Sequence, residues 1–193
     1  MHSLELCYAE LKAPVFYKKA IKKGIAKIIL GASVIRAFKR GTKPKLLKCL
    51  INLDVNSLSK IESEGDYDKW HTQKITSVYN CLYRNTKNSF KGHYHGLKWG
   101  HATKVFNLFI GHLFYYSPYY DKKKNIKANQ YFHVPLDSKV FFLLKKLNII
   151  VPKSIKSLNV TSYRKIQSTL RFAAWNQGVE PIRFDDYAWA HID

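Results

Sequence analysis

Residues 99–109 read WGHATKVFNLF. Ala102, Val105, Phe106 and Phe109 recur at the 3.6-residue spacing of a helix, and Ile110 and Leu113 continue the stripe. The spacing predicts a buried helix from about residue 100 to 116, opened by a short Gly-His-Ala turn. Lys104 falls in the first turn but off the stripe, on the side of Leu108, Gly111 and Tyr115. No acidic residue stands close in sequence to pair with it. Most such lysines are solvated surface charges. The small Gly111 and apolar Leu108 nonetheless make the face around Lys104 resemble the wall of a cleft.

Outward from this helix, the rest of the chain also reads as helical. Residues 14–40 interleave apolar residues with lysines, as one or two amphipathic helices would. GTKP at 41–44 marks a break before a helix at 45–53. SEGDYDKWHTQKITSVYNCLYRN at 63–85 predicts a helix capped by Asp66 or Asp68, with Trp70, Ile75, Val78 and Leu82 facing inward. Residues 86–99 and 117–130 are polar and loop-like. HVPLDSKVFFLLKKLNI at 133–149 reads as an extended approach into a helix whose N-cap is Asp137. Helices are expected at 161–176 and at 182–191, the latter opened by Pro181. Few stretches alternate as strands do. The fold class expected is all-α, as one domain over residues 1–193.

Charge narrows the partner. Thirty-three Lys and Arg face 13 Asp and Glu, a formal +20. Such an excess repels itself in a compact chain, and a polyanion relieves it. Nucleic acid is the first candidate and an anionic membrane surface the second. The apolar stretches IAKIILGASVI and VFNLFIGHLF are both shorter than the roughly 20 residues that a membrane-spanning helix needs. The opening MHSLELCYAE lacks the apolar run of a signal peptide. Cys7, Cys49 and Cys81 are scattered and odd in number, with no CxxC pair, so neither a zinc ribbon nor a disulfide framework is expected. These features together lead to the expectation of a soluble, cytoplasmic, monomeric protein. His93, His95, His101 and His112 match no zinc spacing, and no metal or cofactor is expected.

GHATKVFN at 100–107 followed by FHVPLDSKV at 132–140 resembles the paired signature of the helix-hairpin-helix DNA glycosylases. In that family a tight hairpin precedes a lysine opening a helix, and a later Pro-x-Asp element places an aspartate at a helix N-terminus facing it. The resemblance assigns Lys104 to the lysine and Asp137 to the aspartate. Their separation of 33 positions is similar to that in the small archaeal 8-oxoguanine glycosylase subgroup. That subgroup also carries an Asp and a Trp one helical turn apart that hold the extruded base. Asp185 and Trp189 in DDYAW match them at i and i+4. The resemblance covers about residues 97–147 and the C-terminal helix. His101 and Ala102 stand where the hairpin has an apolar residue and a second glycine.

What the resemblance implies is a DNA glycosylase acting on duplex DNA that carries a damaged or modified base. Lys104 would be the Schiff-base nucleophile and Asp137 its carboxylate partner. Asp185, Trp189 and Leu108 would line the base pocket, and Lys91, Lys98, Gly100, His101 and Thr103 would contact the DNA backbone. A Schiff base permits β-elimination, so strand nicking would accompany base release. The base is 8-oxoguanine by resemblance to the subgroup, or a hypermodified cytosine of phage DNA in an antiviral role. Two rivals come from other classes. One is a non-catalytic, basic nucleic-acid-binding protein, and the other an RNA-cleaving toxin-type nuclease using the histidines.

Overall fold

The computed structural model describes residues 14–31, 41–86, 99–116 and 127–191. Every regular element among them is helical. The helices are α1 (Pro14–Ile29), α2 (Thr42–Ile51), α3 (Glu64–Thr86), α4 (Trp99–Ile110), α5 (Ser138–Lys146), α6 (Val160–Asn176) and α7 (Arg183–His191). Short 3₁₀ turns occupy Asn56–Lys60 and Ile155–Ser157, and α4 runs on into a π-helical turn, Gly111–Tyr116.

Local chemistry sets several boundaries differently from the expectation. Gly41 takes a left-handed conformation (φ 89°) as the N-cap of α2, so GTKP is not a break: Pro44 lies inside the first turn. Proline is tolerated there because first-turn N–H groups have no helical partner. The cap of α3 is Ser63 rather than an aspartate. Its Oγ accepts from Asp66 N–H at 3.1 Å and donates to Asp66 Oδ2 at 2.7 Å, a reciprocal cap. Asp68 is half-buried and pairs with His133 and Arg171 instead. Asp137 caps α5 as predicted, its Oδ1 accepting from Lys139 N–H (3.0 Å) and Val140 N–H (3.1 Å). Asn159 caps α6 in a box with Ser162.

Two apolar clusters form the interior. The first gathers α1 to α4 and the π turn around Leu46, Leu50, Tyr67, Trp70, Phe106 and Phe109. The second packs α5, α6 and α7 around Val140, Leu144, Tyr163, Leu170 and Ala188. The extended segment 132–137 crosses between them: Phe132 belongs to the first cluster, Val134 and Leu136 to the second. Lys104, on α4, faces this crossing.

The start of α4 is pinned by the 155–157 turn. A Cβ placed on Gly100 would lie 2.2 Å from the Ile155 carbonyl oxygen and 2.9 Å from its Cγ1. Backbone cannot yield as a side chain does, so Gly100→Ala should destabilise the fold by roughly 1–3 kcal/mol through overpacking. Chemical denaturation of the variant against wild type checks this. Cys49 is disulfide-bonded, against the expectation of no disulfide framework. No helix among the described residues is long and apolar enough to cross a membrane.

Candidate functional site

Lys104 and Asp137 meet. The Lys104 ammonium lies 3.2 Å from Asp137 Oδ2, across 33 residues of sequence. The lysine side chain is 21 % exposed and the carboxylate 7 %. The two oxygens of Asp137 divide their work: Oδ1 receives the two helix N–H groups, and Oδ2 turns to the lysine. The positive end of the α5 dipole adds to the field on this carboxylate.

Asp185 and Trp189 of α7 come to the same place. The Trp189 indole hydrogen-bonds Asp185, and the Asp185 carboxyl feels both Asp137 and Lys104. Its pKa is pushed up to about 7, mainly by burial and then by the negative charges of Asp137 and Asp186, against the opposing pull of Lys104. Trp189 itself is 54 % exposed and is not a core residue. The Lys139 ammonium sits 4.6 Å from the centre of its ring. Leu108, one turn along α4 from Lys104, is half-buried against the first cluster.

Holding a carboxyl neutral has a thermodynamic signature. Asp185 has a folded pKa above its unfolded one, so its contribution to stability is full below pH 3.8 and is lost as pH rises through about 7. Asp185→Asn removes that loss while keeping an oxygen for the Trp189 indole. The variant should be more stable than wild type at pH 8, by roughly 1–3 kcal/mol after solvent screening, and little changed near pH 4. Thermal melts at the two pH values check this. A residue that costs stability at neutral pH is the kind found where chemistry is done.

The expected backbone contacts fare differently. Gly100, His101 and Thr103 do not form a turn; they lie within the first five residues of α4 and are buried. The Thr103 hydroxyl donates to the Gly100 carbonyl at 2.9 Å, and Gly100 is covered by Ile155. The His101 and Thr103 side chains are buried rather than reaching outward. Burial, together with the charges of Lys156 and Lys104, keeps His101 below the usual histidine range. Lys156, whose charge reaches His101, and Lys139, over the Trp189 ring, are the cations that this placement adds, and neither was singled out from the sequence. Lys91 and Lys98 lie outside the described residues, as do His93 and His95. Among the described residues, no cluster of His, Cys, Asp or Glu is arranged to hold a metal.

Sequence reasoning missed a buried polar chain behind the site. His71 Nε2 donates to Asn107 Oδ1 (2.7 Å), and Asn107 Nδ2 donates to the Tyr163 hydroxyl (2.8 Å) and the Val134 carbonyl (3.2 Å). The Tyr163 hydroxyl is then left to donate to His133 Nδ1 (2.8 Å), and His133 Nε2 donates to Asp68 Oδ1 (3.1 Å). Arg171 grips Asp68 through both oxygens, at 3.1 Å each. One set of tautomers satisfies the whole chain with both histidines neutral. Burial holds His71 well below the usual range and His133 at about 4. The visible signal was polar residues set among apolar ones: Asn107 beside Phe106, and His133 between Phe132 and Val134.

Comparison with protein families, with characterised proteins and with solved structures yields no match. A separate groove of about 580 Å³ lies on the other face of α7, lined by Leu147, Leu170, Val179, Phe184 and Tyr187 among others. It does not include Lys104 or Asp137.

Proposed function

We propose that this protein is a DNA glycosylase of the helix-hairpin-helix type, cutting the N-glycosidic bond of a flipped, damaged or modified base. The observation that carries the reading is the 3.2 Å approach of Lys104 to a buried carboxylate held at a helix N-terminus. That arrangement suits a reaction in which positive charge develops on a sugar carbon and an amine captures it.

The steps assign work to each group. Lys104 first gives up a proton to bulk water, so that Asp137 stays a carboxylate. The amine lone pair forms a bond to C1′ while the C1′–N bond breaks, its electrons leaving with the base, which takes up the proton that the newly bonded nitrogen sheds. Asp137 stabilises the positive charge that builds on the sugar as the base departs. Opening of the C1′–O4′ bond, with a proton to O4′, yields the Schiff base. Loss of a C2′ proton then expels the 3′ phosphate and nicks the strand. The extruded base has the exposed Trp189 indole to stack on, and the Asp185 carboxyl to meet its polar edge. A neutral Asp185 donates a hydrogen bond and an ionised one only accepts, so base preference should change across neutral pH.

The substrate is read as duplex DNA, and the base as 8-oxoguanine or a hypermodified cytosine of phage DNA. The test is mass spectrometry of bases released from a panel of duplexes carrying each of these. Release of one free base, leaving an abasic site, supports the reading. DNA binding without release returns the chain to a non-catalytic binding protein, and RNA cleavage that survives loss of Lys104 favours a nuclease. Binding itself should be strongly salt-dependent and weakly sequence-dependent, because a +20 chain acts on phosphates. Anisotropy titrations should show affinity falling at least about tenfold between 50 and 200 mM salt, for matched and scrambled duplexes alike.

A further inference from the structure

Residues 132–137 form neither helix nor strand, yet all six are buried. A side-chain amide supplies the pairing that a neighbouring strand would give. Gln167 on α6 accepts the Val134 N–H at 2.9 Å and donates to the Val134 carbonyl at 2.8 Å. Asn107 donates to the same carbonyl from α4, three residues beyond Lys104, and is itself fixed by His71 and Tyr163. Gln167 has no exposed surface and Asn107 only 2 %. An apolar pair would fill the space at lower cost in desolvation, but it would not fix the segment in one position.

The proposed chemistry makes that fixity necessary. In the free protein the ion pair to Lys104 also holds Asp137. Once Lys104 has lost its proton to act as the nucleophile, that ion pair is gone, just when the carboxylate is needed at the sugar. We infer that Asn107 and Gln167 are positioning residues, tying the Asp137 loop to α4 and α6 so that the carboxylate stays aimed when Lys104 no longer pairs with it. The inference rests on the glycosylase reading for its purpose, but the clamp can be tested without DNA.

Hydrogen exchange reads the clamp directly. The Lys139 and Val140 amides donate to Asp137 Oδ1, so their protection reports whether that side chain is in place. In Lys104→Met both amides should stay within about threefold of wild-type protection, whereas Gln167→Met should lose about tenfold or more at both. Loss in Lys104→Met alone, or full protection in Gln167→Met, overturns the proposal.

Gln167→Glu supplies a kinetic arm, and it carries the exchange arm too if Gln167→Met fails to fold. A protonated glutamic acid can both accept from and donate to Val134, while the ionised form cannot donate. Its single-turnover rate of base release should fall relative to wild type as pH rises, with affinity for the duplex unchanged. A constant rate ratio across pH, or a loss confined to affinity, contradicts the positioning role. If wild type releases no base from any duplex, the glycosylase reading fails, and the exchange measurement still decides the clamp.

Discussion

On the proposed glycosylase chemistry, borohydride should trap a covalent protein–DNA adduct on base-containing duplex, and Lys104→Gln should abolish it. The adduct requires a primary amine at the sugar, and an amide cannot form a Schiff base. The fold should survive the change. Lys104 lies off the apolar stripe of α4 and is partly exposed, so no core cavity opens. Asp137 keeps its two backbone donors, and the new amide still offers an N–H on that side. A stability cost of roughly 1 kcal/mol is expected. Gel detection of the trapped species, beside a thermal melt of the same preparation, separates lost chemistry from lost structure. Base release without an adduct in Lys104→Gln would assign the attack to water while leaving Asp137 its role.

Asp137→Asn should slow base release on the order of 10²-fold or more, since it removes the negative charge facing the developing cation. The substitution is sterically small and keeps an oxygen for the Lys139 and Val140 N–H groups, so the α5 cap persists. Single-turnover kinetics with a melt control measure the effect. An Asp137→Asn variant as fast as wild type would end the glycosylase assignment.

These two residues were legible in the sequence for different reasons. Asp137 announces itself as an N-cap, directly before an apolar-periodic run. Lys104 shows as a charge displaced from a regular stripe, but its partner, 33 residues away, was supplied only by the resemblance. The helices were legible wherever their stripe was long: α3, α4 and α6 fall within a few residues of expectation. Boundaries set by one residue's backbone or side chain were not. Gly41 moves the start of α2, Ser63 takes the cap from the aspartates, and α4 gives way to a π turn at Gly111.

Least legible was what holds the site together. Gln167 meets Val134 across 33 residues, and Tyr163 meets His71 across 92, pairings that leave no local period to read. The turn expected at Gly-His-Ala is helical instead, for a related reason. Gly100 is small because Ile155, distant in sequence, packs on it, and not because the chain turns there. Lys139 and Lys156 gain significance only from what the fold sets beside them.

The most direct measurement is mass spectrometric mapping of the peptide that carries the sugar after borohydride reduction on base-containing duplex. Base-containing rather than abasic DNA is essential, because a preformed aldehyde reacts with any nearby surface lysine of a +20 chain. The Lys104–Asp137 account predicts the deoxyribose remnant on Lys104, in wild type and not in Lys104→Gln. A remnant on any other amine, formed at the same rate in both proteins, would contradict it.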